Sequence, residues 1–153
     1  MSLDYITFYS DIGNFNKLPE VLDTFQMGAR FQESFKKVFG CQEAKDASNV
    51  VYILRTVKKI PRLKGLSDIV YIGRTKTSLN ERHYRYSKVE ATEEGNVLKY
   101  RHIIKKYGPI RITYMPFRKY GKTLKEAEGK LLWCYFKNHF EYPPVNYSGT
   151  SYR

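Results

Sequence analysis

A cationic, a phenolic and an acidic side chain stand at helical spacings that suit chemistry on a phosphate group. Arg82 and Tyr86 are four residues apart, so they would share one face of a helix. Glu128 would share a helix face with three apolar or aromatic residues, which are Leu131, Leu132 and Tyr135. Phosphodiester hydrolysis requires an activated water, a cation that stabilises the phosphate charge and usually a carboxylate that holds a metal ion. Glu128 also suits a partly exposed position in the first turns of its helix, so its spacing alone leaves both interpretations open.

The elements around these residues predict a small domain of the mixed α/β (α+β) class. Residues 50–54 and 69–73 are apolar, β-branched runs typical of strands, and residues 110–115 alternate as a third strand should. Capping boxes at Ser78 and Thr123 begin helices predicted to end near residues 87 and 138. Apolar residues over 97–107 predict a further helix between them. The order β-β-α-α-β-α predicts a three-stranded antiparallel sheet flanked by helices.

The first 48 residues are predicted to form an N-terminal helical extension or arm, followed by the main domain over residues 49–153. Pro19 can begin a helix, and apolar residues then recur at roughly helical spacing as far as Val38. Gly28 could divide this helix, and Gly40 is expected to end it. Residues 41–48 are polar and predict a linker. Under 50 residues would be marginal as a separate domain, so we expect one main core.

The charge of the chain predicts a polyanionic partner. Lys and Arg total 27 against 15 Asp and Glu, giving a net charge of +12, and aromatic residues make up 16% of the chain. Basic groups neutralise phosphates and aromatic rings stack on bases, although basic proteins with other roles are common. Charge therefore favours a nucleic acid partner without distinguishing a binding module from an enzyme.

Several other classes are disfavoured by pattern. The most apolar run, residues 131–136, is far shorter than the ~20 residues needed to span a membrane, and the first ten residues lack a signal-peptide pattern. Cys41 and Cys134 are expected to be small buried residues, and two isolated cysteines fit a reducing cytoplasm. The three histidines show no zinc-ligand spacing, and neither a Walker motif nor a Gly-x-Gly-x-x-Gly motif occurs, so a nucleotide cofactor is not expected.

The chain resembles the GIY-YIG nuclease superfamily over residues 49–146. The resemblance is carried by Tyr52, by Tyr71-Ile72-Gly73 with its following helix, by a Glu-x-x-Leu-Leu helix and by the sequence PPVN near residue 146. It implies a small antiparallel sheet flanked by helices. It also implies a metal-dependent endonuclease that hydrolyses double-stranded DNA by direct attack of water.

Four of the implied catalytic residues lie on the first two strands and the helix that follows them. The resemblance implies that Tyr52 orients or deprotonates the attacking water, and that Tyr71 sits beside it. Arg82 would contact the scissile phosphate and stabilise the charge that grows in the transition state. Tyr86 takes the place where family members carry a histidine or a tyrosine.

The remaining implied site residues bind metal, buttress the site or contact DNA. Glu128 would coordinate a single divalent ion, Mg²⁺ or Mn²⁺, and Asn146 would buttress the site by hydrogen bonding. Arg74 and Lys76 are candidate phosphate contacts. Strand parity is compatible with this arrangement, because in the right hairpin register both phenols would lie on one side of the sheet.

Two features depart from the family pattern. Val50 and Val51 stand where Gly-Ile is usual before the first tyrosine, and Tyr52 and Tyr71 are 19 positions apart, more than in a compact hairpin. The additional residues between these two tyrosines are predicted to form a long basic loop that contacts DNA, or equally a solvated surface loop. Its basic residues are Lys58, Lys59, Arg62 and Lys64.

Two alternatives remain open from the sequence. Asp68 with Glu128 and Lys130 faintly resembles the D…E-x-K core of restriction nucleases, although residues two apart on a helix do not face each other. The second alternative is a basic nucleic-acid-binding module without catalysis. If the chain is a nuclease, its size favours a compact restriction-type or phage-type enzyme over a homing enzyme. Cutting both strands would then require a homodimer on DNA or two successive events.

Overall fold

The computed structural model describes residues 22–25, 31–88 and 95–146 of the 153-residue chain. The described part contains four strands, which are β1 (Leu22–Phe25), β2 (Val50–Pro61), β3 (Leu66–Thr75) and β4 (Ile110–Pro116). It contains five α-helices, which are α1 (Phe31–Gly40), α2 (Gln42–Asp46), α3 (Leu79–His83), α4 (Gly95–Tyr107) and α5 (Leu124–His139). Two 3-10 turns, Tyr84–Ser87 and Phe117–Lys119, follow α3 and β4.

The predicted antiparallel sheet is confirmed, with β2 at its centre between β3 and β4. Tyr52 in β2 stands opposite Gly73 in β3 and Tyr114 in β4. The short strand β1 pairs with β4 and extends the order to β1-β4-β2-β3. In the described part of the chain, β3 is therefore an edge strand.

The N-terminal part differs from its prediction in three places. Residues 22–25 form β1 rather than helix, because pairing with β4 supplies backbone hydrogen bonds that a local spacing pattern does not reveal. α1 runs from Phe31 to Gly40, and its end at Gly40 is the predicted one, whereas Pro19 and Gly28 lie outside the described residues. The expected linker contains α2, and Cys41 caps that helix by accepting a hydrogen bond from the Ala44 amide. Cys41 is thus partly exposed rather than buried, while Cys134 is buried.

The predicted basic loop is a β-ribbon. β2 continues to Pro61 and β3 begins at Leu66, so only a tight turn separates them. The Arg62 amide donates a hydrogen bond to the Gly65 carbonyl oxygen, and Gly65 has a φ of 72°, where glycine carries no steric penalty. The irregular register between Arg55 and Ile60 explains the missed strand, because it breaks the alternation that predicts one.

Two apolar cores lie on opposite faces of the sheet. On one face, residues of α1, α3 and α4 pack with Tyr52 and Leu54, so the N-terminal helices share the core of the main domain. On the other face, α5 packs on Val51, Ile53 and Ile72. Of the helices in the described ranges, none is both long and apolar enough to cross a membrane.

Candidate functional site

Two phenol rings lie side by side over a glycine of the central hairpin. Because Tyr52 pairs with Gly73 and Tyr71 stands two residues before that glycine, both phenols project from the same face. Their ring centroids are 5.8 Å apart. A Cβ atom at Gly73 would lie 2.5 Å from the Tyr71 ring and 2.6 Å from the Tyr52 hydroxyl. Gly73 thus makes room for the pair.

The Tyr52 side chain is completely buried, and its hydroxyl has no well-aligned hydrogen-bond partner among the described residues. Burial raises the pKa of Tyr52 well above its usual value, and the nearby Tyr71 phenol adds to this effect. The guanidinium of Arg82 acts in the opposite direction without reversing the shift. The phenol of Tyr52 is therefore neutral at physiological pH, a state that suits orienting a water better than deprotonating it.

Arg82 lies on α3 and directs its charge toward both phenols. Ser78 begins α3 by accepting a hydrogen bond from the Glu81 amide at 3.0 Å, as the capping box predicts. Partial burial would lower the pKa of Arg82, but the phenols of Tyr52 and Tyr71 raise it above its usual value. The side chain as a whole remains exposed. A permanent cation thus stands at the solvent side of the phenol pair.

Tyr86 does not share a regular helix face with Arg82. α3 ends at His83, earlier than predicted, and Tyr86 lies in the 3-10 turn that follows. Its ring is buried at 6.0 Å from the Phe35 ring, and its hydroxyl accepts a hydrogen bond of 2.9 Å from Arg85. Tyr86 therefore packs against α1 and is engaged by Arg85.

Glu128 is buried on the other face of the sheet, where it faces an arginine. Its residue surface is 7% exposed, so the interpretation as a partly exposed edge residue is wrong. The Arg74 Nε lies 4.0 Å from the Glu128 carboxylate, and the Arg74 Nη1 is buried without a hydrogen-bond partner in the described ranges. Arg74 directly follows Gly73 on the edge strand. The carboxylate and the phenols thus flank the same strand from its two sides.

Asn146 fixes the edge strand beside the phenols. Its side-chain oxygen accepts a hydrogen bond from the Ile72 amide at 3.0 Å, and its side-chain nitrogen donates to the Ile72 carbonyl at 2.8 Å. Ile72 lies between Tyr71 and Gly73. The side chain of Asn146 therefore holds the backbone of the strand that carries Tyr71.

The acidic residues suit at most a weakly chelated metal. Across the described residues, no group of three His, Cys, Asp or Glu side chains is placed to hold a metal ion. A single carboxylate such as Glu128 fits Mg²⁺ or Mn²⁺, because Mg²⁺ is commonly bound by one or two carboxylates, with waters and phosphate oxygens completing its shell. Zinc would require a richer set of nitrogen and sulfur ligands.

The predicted DNA contacts differ in their availability. Lys58, Lys59, Lys64 and Lys76 are exposed. Arg62 is instead engaged within the protein, because its Nε lies 3.0 Å from Glu141 and its Nη2 donates to the Tyr142 carbonyl. Among the basic residues of the ribbon, the lysines are the ones that present their charge to solvent.

A cavity of about 620 Å³ lies next to α3, on the side of the N-terminal helices. Its lining includes three lysines and one glutamate, which are Lys36, Lys37, Lys45 and Glu33, together with Asn80 and Tyr84. Tyr84 packs on Gly40, where a Cβ atom would lie 3.1 Å from its ring. The cavity adds positive charge beside the helix that carries Arg82.

The sequence did not single out two residues that surround the phenols. His83 is buried with its ring centroid 5.0 Å from that of Tyr52, in an edge-to-face contact, and both its ring nitrogens lack hydrogen-bond partners in the described part. Burial, then the charges of Arg82 and Arg85, lower the pKa of His83 to about 3. Tyr100 of α4 is fully buried in the same core. The four-residue spacing of Leu79 and His83 was the signal that could have marked the histidine.

The D…E-x-K arrangement is not formed. Asp68 lies 3.8 Å from Arg111, and Lys130 lies 3.0 Å from Glu126 rather than beside Glu128. Glu126 also accepts a hydrogen bond from the Lys122 amide, and its own amide donates to Thr123. Glu126 is thus occupied at the start of α5, as the capping box predicts.

Comparisons with known protein families, with curated proteins and with solved structures found no match to this chain.

Proposed function

We propose that this protein is a divalent-metal-dependent endonuclease that hydrolyses phosphodiester bonds in double-stranded DNA. The observation that carries the proposal is the meeting of two phenols and a guanidinium over Gly73, with the buried Glu128 facing Arg74 on the other side of the same edge strand. The Tyr52 hydroxyl is buried without a well-aligned hydrogen-bond partner among the described residues, and a catalytic role is one explanation for such a group.

In the proposed reaction, the Tyr52 phenol acts on the attacking water and Arg82 acts on the phosphate. The neutral Tyr52 hydroxyl, kept protonated by burial and by Tyr71, accepts a hydrogen bond from the attacking water and so orients it. Arg82 lies beside both phenols and stabilises the negative charge that develops on the phosphate oxygens. Its raised pKa keeps it cationic throughout. Asn146 holds the strand that carries Tyr71.

Glu128 is the residue that would hold the metal ion. A divalent ion supplies Lewis-acid stabilisation of the phosphate charge and of the leaving oxygen. Before DNA binds, Arg74 partly neutralises the buried carboxylate from 4.0 Å. A scissile phosphate arriving beside Arg74 would offer its guanidinium a second anionic partner and so compete with Glu128 for it.

The surface charge supports DNA as the substrate. A net charge of +12 and the lysines around the cavity beside α3 favour binding to a phosphate backbone. One site of this kind cuts one strand, so a homodimer on DNA or two successive events would make a double-strand break. A compact restriction-type or phage-type role is consistent with this arrangement.

Cleavage of supercoiled plasmid with and without Mg²⁺ or Mn²⁺ tests the proposal. We expect the wild-type protein to nick the plasmid only with a divalent metal, and Glu128→Gln to abolish nicking while DNA affinity is retained or increased, because one negative charge opposing phosphate is lost. Glu126→Gln is the matched control and keeps activity, since Glu126 caps α5 and pairs with Lys130.

The opposite outcomes are equally informative. Loss of activity in Glu126→Gln but not in Glu128→Gln would show that the carboxylate assignment is wrong. A protein that binds DNA tightly and never nicks it with either metal would instead be the non-catalytic binding module.

A further inference from the structure

The central hairpin extends well beyond the rest of the sheet. Pairing between β2 and β4 ends at Arg55 and Arg111, whereas β2 and β3 remain paired as far as Pro61 and Leu66. Residues 56–68, here named the basic ribbon, therefore project past β4 as two strands and a tight turn. A two-stranded ribbon of this kind is one of the elements that fit a groove of duplex DNA.

The tip of the basic ribbon exposes large apolar side chains. Six large apolar residues are exposed in the described ranges, and four of these lie on the ribbon or against it. They are Val57, Leu63, Leu66 and Phe140, with Leu63 the most exposed at 74%. Exposed apolar residues that cluster in this way mark an interaction site more often than scattered ones do.

The charges on the ribbon are arranged to meet an anion. Lys58, Lys59 and Lys64 are exposed, whereas Asp68 on the ribbon and Glu141 against it face arginines. Asp68 lies 3.8 Å from Arg111, and Glu141 lies 3.0 Å from Arg62. The carboxylates are thus compensated within the protein, and the lysines supply the outward charge. An apolar tip flanked by lysines complements a nucleic-acid groove, whose rims are phosphates.

Phe140, one of these four residues, also has an unusual backbone conformation. It ends α5 in the left-handed conformation, with φ 58° and ψ 20°, at a position that commonly favours glycine. The Lys64 amide donates to the His139 carbonyl, and the Lys64 ammonium lies 4.8 Å from the Phe140 ring centroid. An exposed aromatic residue in the left-handed region is thus held against the ribbon tip, and non-glycine residues in this region cluster at functional sites.

We propose that the basic ribbon enters the minor groove of duplex DNA and that Leu63 inserts between base pairs and bends the duplex. Minor-groove proteins insert apolar wedges such as leucine between base steps and kink the DNA, while flanking lysines neutralise the phosphates. The proposal rests on the DNA-binding part of the proposed function and goes beyond it, because it assigns a deformation of the substrate to a surface outside the candidate active site.

The ribbon acts at a distance from the phenols. Tyr52 and Pro61, where β2 ends close to Leu63, are nine residue steps apart, which at about 3.3 Å per step is about 30 Å. At about 3.4 Å per base pair, a duplex following the hairpin is bent about nine base pairs from the cleaved bond. The bend and the cleavage are therefore separable in an experiment.

The bend is measured by energy transfer between dyes at the two ends of a duplex, with metal chelated so that no cleavage occurs. We expect wild-type protein to shorten the end-to-end distance at saturation. Leu63→Ala should abolish this change, and Leu63→Met should retain it, because methionine is also an effective wedge. At 74% exposure the substitution leaves the fold intact, and unchanged thermal unfolding confirms this.

The lysines are tested separately by the salt dependence of affinity. Replacing Lys58, Lys59 and Lys64 with alanine should lower the slope of log affinity against log salt by about three, whereas lysine-to-arginine substitutions should leave it unchanged. An unaltered bend in Leu63→Ala overturns the proposal. Binding of the ribbon to anionic lipid vesicles, with no bending of DNA, also overturns it in favour of a membrane surface.

The outcomes separate this proposal from the nuclease. Bending that depends on Leu63 in a protein that never cleaves would retain the ribbon and reject the endonuclease. Metal-dependent cleavage without bending that depends on Leu63 would retain the endonuclease and reject the ribbon proposal.

Discussion

The buried hydroxyl of Tyr52, which orients the attacking water in the proposed mechanism, carries some cost in stability. It has no well-aligned hydrogen-bond partner among the described residues, and burying such a group costs about 1–3 kcal/mol. The same hydroxyl lies beside Tyr71 and Arg82, where an incoming water or phosphate would complete its hydrogen bonding. Stability and activity should therefore respond in opposite directions when it is removed.

Tyr52→Phe should abolish cleavage and leave the free energy of unfolding unchanged or higher by about 1 kcal/mol, because the unsatisfied hydroxyl is lost while the ring remains. Urea unfolding and plasmid nicking measure the two quantities. Tyr114→Phe is the control, since it removes an exposed hydrogen bond to Glu43 on β4 and should leave cleavage intact. A Tyr52→Phe protein with wild-type cleavage would remove this hydroxyl from the mechanism.

Arg82→Ala should reduce the rate of cleavage by about 10²–10³-fold, the loss typical of one preorganised stabiliser of the transition state. Single-turnover rates at saturating protein measure the cleavage step alone, so weaker DNA binding by the variant does not affect them. Arg118→Ala, a loss of charge at an exposed position, should keep the wild-type rate. Residual activity near wild type in Arg82→Ala would place the arginine outside the site.

Among the elements, the central hairpin is the one whose packing leaves the least room for a substitution. Its register sets Gly73 under the two phenols, and the distances of 2.5 and 2.6 Å to an added Cβ atom leave no room for one. The hairpin also carries Arg74 toward Glu128 on the other face. One strand thus positions side chains on both sides of the sheet.

Gly73→Ala should lower the free energy of unfolding by about 1–3 kcal/mol, the usual cost of overpacking a core, and should displace the phenols enough to impair cleavage. Gly95→Ala is the matched control. A Cβ atom there meets nothing within 4 Å, and alanine is the better helix former, so stability should be unchanged or higher. Chemical denaturation of both variants checks the contrast.

Elements defined by local chemistry were predictable from sequence, and those defined by distant pairing were not. Ser78 and Thr123 mark helix starts because their side chains bond to amides three residues away. Strand β1 depends on β4, far along the chain. The basic ribbon was missed because its bulge interrupts the alternation of side chains.

In the candidate site, too, features set by local sequence were predictable and features set by tertiary packing were not. Strand parity was compatible with a pair of Tyr52 and Tyr71, which the observed register forms, whereas helical spacing left open whether Glu128 is buried. The spacing did not reveal that α5 packs on the opposite face of the sheet from the phenols, because which face a helix covers is decided by tertiary packing. Nor did it reveal that α3 ends at His83, which turns Tyr86 toward α1.

At the scale of the whole molecule, the buried His83 ties stability to pH. Its pKa is lowered from 6.5 to about 3 by burial and by Arg82 and Arg85, so the folded protein favours the neutral ring. The unfolded chain binds a proton below about pH 6.5. Unfolding therefore takes up a proton between about pH 6.5 and 3, and the free energy of unfolding falls as pH decreases through that window.

His83→Phe should remove this contribution, which reaches about 1.4 kcal/mol per pH unit for one proton. Urea unfolding at a series of pH values, with the difference between variant and wild type plotted against pH, isolates the histidine from the carboxylates. His102→Gln, at an exposed position, is the control. Parallel curves for His83→Phe and wild type would contradict the assignment.

The contacts of residues 143–146 also limit how molecules of this protein meet one another. The Val145 amide donates to the Val70 carbonyl, and Asn146 occupies both backbone groups of Ile72. Unsatisfied backbone groups on the outer strand of a sheet are templates on which another polypeptide can add as a strand. By saturating them at two successive outward positions, the C-terminal segment blocks strand-by-strand polymerisation along this edge. A second copy of the chain therefore finds these backbone positions of β3 already occupied.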